Sequence, residues 1–346
     1  MSTSDTDAAL LRLLQEGRAR AQAIDAHHGV LWDALVRATE GGKRFRPALV
    51  VATHDALGGS MGAAAAEVGA AVELLHTAFV IHDDVIDGDH LRRGRPNVSG
   101  TFRDEARSEG AGPQDVNSYG LTAAILAGDL ALSTAVRAVA TCGAEPALVH
   151  RLLDLFDRAL HTTASGELAD VRLAMHLGDA TLAESLAMEE QKTSAYSFSL
   201  PLQAGAVLAG ADEDTVDRLD DAGRALGISF QLIDDLIGVF GDPDRSGKSA
   251  TSDLRTRKQT PLIVHARSTG AWERISDYAG RDLAAHELDE VRALLTASGS
   301  RRYVEDLAAE HLATARAVLD ELGIRVDVLE EWTTRPPALS ASEAAA

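Results

Sequence analysis

An all-α fold is predicted by three features of the 346-residue sequence. Aromatic residues make up only 4%, alanine and leucine abound, and the long periodic stretches repeat at helical spacing without the β-branched alternation of strands. The length allows one large domain or two ordinary ones, with a sizeable core in either case. No Pro- or Ser-rich boundary is visible and no repeat of fixed period appears, so a single domain is expected, with a core over 8–332 and a frayed tail over 333–346. The formal charge of −20 excludes general nucleic-acid binding, which needs a positive surface to release counterions. An anionic substrate would then need a local cluster of Lys and Arg, bridging divalent cations, or both.

The single Cys142 rules out an internal disulfide framework. With no metal-ligand Cys/His spacing, it points to a reducing, cytoplasmic compartment. The opening MSTSDTDAAL shows no basic stretch followed by an apolar core, hence no secretory signal. The most apolar long run, Ala63 to Ile81, is interrupted by Glu67, Glu73 and His76, which marks a buried core helix and no integral membrane segment.

Residues Asp5 to Ala26 read as an amphipathic helix and Leu31 to Ala38 as a second. In GGKRFRP, Gly41 to Pro47, two glycines break the helix, and Lys43, Arg44 and Arg46 crowd together before Pro47 opens the next one. Two readings stand for this stretch: a solvated turn, or an anion site that joins the cations to free N–H groups of a helix N-terminus. Helices follow over Pro47 to Leu57 and from Met61 into LLHTAFVIHDDVIDGDHLRRG, Leu74 to Gly94. There Asp83, Asp84 and Asp87 fall on one helical arc. Like charges at this spacing repel and the apolar flank deepens the conflict, so a cation is expected. Arg92, Arg93 and Arg95 follow within a few residues. The stretch Arg103 to Asn117 lacks periodicity and reads as a mobile surface loop, a lid or an insertion.

Helices resume over Gly120 to Thr141 and Glu145 to Leu177, the second expected to break or bend near Gly166. Glu167 and Asp170 are three apart and share a face; alone they read as a surface pair. Leu182 to Ala195 carries Lys192 and Thr193 near its end, where a lysine complements the helix dipole. Ser197 to Leu208 and Thr215 to Phe240 continue the series. The last ends FQLIDDLIGVFGD and repeats the earlier design: an apolar helix, paired Asp234 and Asp235, then a basic stretch with Lys248, Arg255, Arg257 and Lys258. Two copies of this device are not two accidental solvated faces. Pro261 to Trp332 reads as further packing helices.

Mg²⁺ takes oxygen ligands and is usually held by one or two carboxylates together with substrate phosphates. Nearby cations can then neutralise a departing diphosphate. No nucleophile with its base is recognisable, and no GxxxxGK[ST] loop is present. The chemistry left is metal-assisted departure of a diphosphate beside an apolar cavity, as in ionisation of an allylic diphosphate.

Taken together, GKRFRP, HTxxxxHDDVIDGDxxRRG, GExxD at Gly166, KT at Lys192, FQLIDD at Phe230 and GKxxxxDLxxxKxT at Gly247 resemble the trans-isoprenyl diphosphate synthases, the polyprenyl synthetase family. The match runs in order from Gly41 past Lys258, well over half the chain. The resemblance implies an all-helical bundle of about ten or more helices around a central cavity, usually a homodimer. The implied reaction joins isopentenyl diphosphate to dimethylallyl, geranyl or farnesyl diphosphate. By resemblance, Asp83, Asp84, Asp87, Asp234 and Asp235 would bind three Mg²⁺ ions on the allylic diphosphate, helped by Arg92, Lys192, Lys248 and Lys258 and supported by Asp170. Lys43, Arg46, His76 and Arg93 would bind isopentenyl diphosphate without metal. The Lys192 carbonyl, Thr193 and Gln231 would stabilise the developing cation, and the departed diphosphate would take the final proton.

Three departures from the family pattern stand out. Gly238 occupies the place of a third aspartate in the second motif, with Asp242 two turns beyond Asp234 as a partial substitute. Glu167 stands where glutamine is frequent. The tail lacks the basic residues that close over the isopentenyl site in some members. Phe79, one turn before Asp83, is expected to project beneath the diphosphate and limit the growing chain, while Ala78 leaves room beside it. The first motif lacks the two-residue insertion of bacterial farnesyl synthases. Geranylgeranyl diphosphate is therefore the expected product and farnesyl diphosphate the alternative. A class I terpene cyclase is disfavoured by DDLIGVFGD and by the second diphosphate site. A non-catalytic subunit of a heteromeric synthase is the remaining alternative, with Gly238 a small step towards it.

Overall fold

The computed structural model describes residues 3–175, 180–241, 252–255 and 258–325. The sequence-predicted Asp242, Lys248 and Arg257, and the 333–346 tail, lie outside the described residues. The helices are α1 (Thr3–Ile24), α2 (Ala26–Ala38), α3 (Phe45–Ala56) and α4 (Gly62–Ile86), then α5 (Val98–Ser108), α6 (Pro113–Ala140) and α7 (Pro146–Ala174). After these come α8 (Leu182–Glu189), a π-helical segment (Glu190–Ser199), α9 (Leu200–Ala209) and α10 (Glu213–Phe240). The short α11 (Ser252–Arg255), α12 (Pro261–Arg267) and α13 (Trp272–Ile275) lead to α14 (Ala285–Ala297) and α15 (Ser300–Glu321). Among the described residues the strands are confined to one antiparallel hairpin, β1 (Leu91–Arg92) with β2 (Arg95–Pro96). The fold is all-α. Two compact units are distinguished, Met1–Phe156 with Ala204–Asp212, and Asp157–Gln203 with Glu213–Ala346.

In the first unit α4 is the central helix. Val68, Leu74, Leu75 and Ile81 are buried, and its small residues meet the buried Ala124, Ala127, Ala131 and Ala135 of α6. Close approach is enforced at Gly128, where an added Cβ would lie 2.2 Å from His82 Nε2. Both α4 and α6 are long and apolar enough to cross a membrane by composition, but 78% of the apolar window of α4 is buried inside the protein, as a core helix requires. The corresponding window of α6 is 50% buried, and the outer face of that helix carries Tyr119, Ile125 and Leu126.

The stretch Arg103 to Asn117 is not the loop expected from its sequence: it ends α5, turns, and begins α6. Asn97 caps α5 by accepting the Gly100 N–H at 2.8 Å, and Val98, Phe102 and Ala106 are buried. Its apolar stripe, Val98, Phe102 and Ala106 at four-residue spacing, begins before Arg103, where the expected loop starts. Pro113 then starts α6, where a missing N–H costs nothing.

The helix α7 runs unbroken through Gly166, so the break expected there is absent. The glycine serves packing, since a Cβ there would lie 2.2 Å from the Lys192 backbone nitrogen. The expected helix end near Ala195 is also absent: α8, the π segment and α9 form one run. The Leu200 N–H bonds Ala195 O, five residues back. Pro201 follows; it has no N–H, and its ring clashes with the i−4 carbonyl in α geometry, so the wider turns precede it. Gly227 and Gly223 of α10 accept the other side of this segment, with added Cβ atoms 2.2 Å from Ser194 Oγ and 2.5 Å from Ser199 Cα. The inner face of α10, Ile228, Leu232, Leu236 and Val239, packs with Val291, Leu295 and Val304 of α14 and α15.

Candidate functional site

The first unit presents the DDVID stretch at the C-terminal end of α4, where Asp87 is the cap residue. Asp84 is buried, Asp83 half-buried and Asp87 exposed. No basic residue lies in the last turn of α4, so the charge conflict is met from the hairpin. Arg92 donates to Asp84 Oδ1 through Nε at 2.9 Å and Nη2 at 2.7 Å, and lies 3.5 Å from Asp83. Burial still pushes the Asp84 carboxyl above its ordinary value, with Arg92 opposing that shift only in part.

The hairpin that carries Arg92 has register Leu91 with Pro96 and Arg92 with Arg95. Its two-residue loop, Arg93 and Gly94, has φ of 54° and 71°, which is the type I′ geometry such hairpins favour. Arg93 reaches back to the carbonyl of Glu40 at 2.7 Å. Arg44, directly before α3, also has a left-handed φ of 53° and bonds the buried Glu73 at 2.6 Å. These two arginines are the non-glycine residues with positive φ among those described. Backbone outliers of this kind cluster at functional sites.

Both basic stretches converge on His76 of α4. Its imidazole is held well below its ordinary value, first by burial and then by the charges of Arg46, Arg92, Arg93 and Arg44, so it is neutral at physiological pH. Arg46 is buried, with its guanidinium 4.3 Å from the Phe45 ring centroid; Lys43 is exposed. The helix α3 starts at Phe45 and not at Pro47 as expected, which puts Arg46 in its first turn beside the free N–H groups. Phe79 is half-buried and Ala78 buried on the same helix as the aspartates.

The second unit gathers Lys192, Glu167 and Asp170. Lys192 Nζ donates to Asp170 at 2.8 Å and to Glu167 at 3.1 Å, so the acidic pair of α7 is a lysine clamp and not a surface pair. Thr193 Oγ1 donates to Gln231 Oε1 at 3.2 Å, and Gln231 Nε2 donates to Asp235 Oδ1 at 3.1 Å. A chain of contacts thus joins the π segment to the second aspartate pair. Asp235 is buried and Asp234 half-buried.

Glu189 was not singled out by its sequence, yet it is buried at the end of α8 against Asp235. Burial, then the neighbouring Asp235, push its carboxyl well above its ordinary value, with Lys258 opposing. Its Oε2 has no hydrogen-bond partner among the described residues. The one sequence signal was an acidic residue beside Met188 on an otherwise apolar helix face.

These donors fit Mg²⁺. They are oxygen ligands, and the buried Asp84 and Glu189 both have raised pKa values that a divalent cation would lower. Among the described residues, Asp83, Asp84 and Asp87 do not form a group of three that could hold an ion by themselves.

The polyprenyl synthetase family model matches residues 30–295, taking in both units. The chain is 33% identical over 324 residues to geranylgeranyl diphosphate synthase of Mycobacterium tuberculosis, covering 92% of this chain and 87% of that one. It is 33% identical over 292 residues to (2E,6E)-farnesyl diphosphate synthase of Mycobacterium bovis, covering 82% and 75%. In structure it resembles geranylgeranyl pyrophosphate synthase from Corynebacterium glutamicum complexed with isoprenyl diphosphate and magnesium, with a TM-score of 0.85, 27% identity and 96% of each chain covered. The matched motifs, the helical fold and these likenesses agree, and the chain belongs to the polyprenyl synthetase family.

Proposed function

We propose that this protein is a Mg²⁺-dependent prenyl diphosphate synthase that joins isopentenyl diphosphate to short allylic diphosphates and forms geranylgeranyl diphosphate. The observation that carries the reading is the convergence of two basic stretches on a neutral His76 beside an aspartate-bearing helix end. That arrangement suits one diphosphate bound through cations alone and another bound through carboxylates. We infer that both units serve one catalytic domain and that Asp83, Asp84, Asp87, Asp234 and Asp235, with Asp170 in support, hold three ions. Bound Mg²⁺ would draw off the negative charge that develops on the departing diphosphate.

The chain's own residues do the rest. Arg92, Lys192 and Lys258, with Lys248 assigned by family likeness, neutralise the allylic diphosphate as its C–O bond breaks. Arg46, Arg93, Lys43 and His76 orient isopentenyl diphosphate, and the neutral imidazole donates a hydrogen bond without adding charge. The isopentenyl double bond forms the new C–C bond, and the departed diphosphate takes the proton lost. Thr193, Gln231 and the Lys192 carbonyl turn partial negative charge towards the transient cation. Farnesyl diphosphate is the alternative product, since one geranylgeranyl and one farnesyl synthase are each 33% identical to this chain; the half-buried Phe79 beside the small Ala78 favours the longer one.

A homodimer fits the half-exposed face of α6, where Ile125 is 45% and Leu126 48% exposed. A cytoplasmic setting fits the buried free thiol of Cys142. The deciding experiment incubates purified protein with Mg²⁺, isopentenyl diphosphate and dimethylallyl diphosphate and resolves the products by chain length. Absence of any prenyl product, or a cyclic hydrocarbon from geranylgeranyl diphosphate alone, overturns the reading.

A further inference from the structure

In α4 the aspartates sit at the C-terminal turn, where the helix dipole is already negative; in α10 Asp234 and Asp235 lie about a turn further in; in both helices the last turn holds no basic residue of its own. In α4 the answer is Arg92, which binds Asp84 directly. In α10 the answer comes from α14. Arg292 donates through Nε to the carbonyl of Val239 at 2.7 Å and through Nη2 to that of Gly241 at 2.9 Å.

The end of α10 needs such help more than most. Gly238 lies within the last turn, where it gives the backbone more freedom than any other residue would. Among the described residues, the Ile237 carbonyl is taken by the Gly241 N–H at 2.9 Å, and the carbonyls of Val239 and Gly241 are held by Arg292. Arg301 of α15 adds a cation 4.8 Å from the Phe240 ring centroid. Arg292 is itself three-quarters shielded, with 25% of its side chain exposed, and its acidic neighbour Asp289 stands at a longer 3.5 Å. Its fork is therefore committed mainly to α10.

We propose that Arg292 is a positioning residue that clamps the C-terminal turn of α10 and so fixes where Asp234 and Asp235 present their carboxylates. It makes up for the stiffness and charge balance that Gly238 does not provide. The inference rests on the reading of Asp234 and Asp235 as ligands of a metal–diphosphate site, and it concerns a residue outside the recognised motifs.

The test compares full-length wild type with Arg292→Met, which keeps an apolar stem of similar length, with Arg292→Lys, and with Arg292→Met combined with Gly238→Ala. Hydrogen exchange of the metal-free protein should be about fivefold faster in peptides ending at Phe240 for Arg292→Met, with no change in α4. Calorimetric titration of Mg²⁺ in the presence of inorganic pyrophosphate should show a comparable loss of affinity. In turnover, KM for the allylic diphosphate should rise while KM for isopentenyl diphosphate stays at the wild-type value. Arg292→Lys, able to serve one carbonyl at a time, should recover part of each effect, and Gly238→Ala should restore exchange protection.

Wild-type exchange and wild-type Mg²⁺ affinity in Arg292→Met would overturn the proposal. So would a Lys variant no better than Met, or an equal rise in both KM values with a lowered melting temperature, which marks a general packing role. If Arg292→Met does not fold, the Lys variant alone decides by the same exchange and titration readouts. Failure of wild type to form prenyl products would defeat the functional reading, while the exchange data would still judge the clamp.

Discussion

At the scale of single residues, the two halves of the candidate site solve opposite problems. Asp84 is a buried carboxylate that one arginine only partly offsets, so a cation is the missing element. Replacing it by asparagine keeps an acceptor for Arg92 but removes the charge. Asp84→Asn should lower kcat roughly 10²–10³-fold with an unchanged thermal melt, and full turnover would remove Asp84 from the site. His76 is a half-buried imidazole kept neutral by desolvation and by the charges of four arginines. The unfolded chain takes up a proton there as pH falls below the ordinary 6.5 while the folded chain does not. Stability is therefore fully present above that value and declines as pH falls, by at most about 1.4 kcal/mol at pH 5.5. Denaturant titrations of the metal-free protein should show this slope, flattened in His76→Gln. Phe79 lies one turn before Asp83 and is half-buried, so Phe79→Ala should shift the products to longer chains on chromatography. Identical product lengths would show that another residue closes the cavity. These residues were legible as candidates because each sits inside a dense motif. Glu189 was not, because its partner Asp235 is distant in sequence and only folding buries the two together.

At the scale of elements, the π segment explains several residues at once. Lys192 and Thr193 lie on it, and three glycines let neighbouring helices reach its backbone. Gly166→Ala would set a Cβ 2.2 Å from the Lys192 nitrogen and 2.6 Å from the Gln191 carbonyl carbon, both backbone atoms that a rotamer change cannot move. A loss of about 1–3 kcal/mol is expected, together with reduced turnover, because Lys192 shifts relative to Asp170. The control is Gly270→Ala, where an added Cβ meets nothing within 4 Å and the effect should stay within about 0.5 kcal/mol. Chemical denaturation of the two variants separates the cases. Helical periodicity identified most of the helices, yet it read the π segment as an end near Ala195 and a new start at Ser197, because i→i+5 bonding takes the side chains out of the 3.6-residue pattern. It also missed α5, whose stripe of Val98, Phe102 and Ala106 begins before Arg103 and is only three residues long.

At the scale of the whole molecule, the exposed side of α6 carries the large apolar residues Tyr119, Ile125 and Leu126. Introducing charge there, with Ile125→Glu and Leu126→Lys together, should convert a dimer to a monomer in analytical ultracentrifugation; a wild type that sediments as a monomer would remove the dimer reading. The sequence by itself determined the helical class, the family and the order of the aspartate and basic motifs. These depend on local spacing and residue chemistry, both of which are written along the chain. The tertiary structure alone decided that Arg44, Arg46, Arg92 and Arg93 act on one neutral histidine, and that Glu167 and Asp170 grip Lys192. It also decided that Arg292 closes the end of α10. Burial and hydrogen bonding between distant segments exist only once the chain has folded, and they change the charge and freedom of groups whose identities the sequence had already shown.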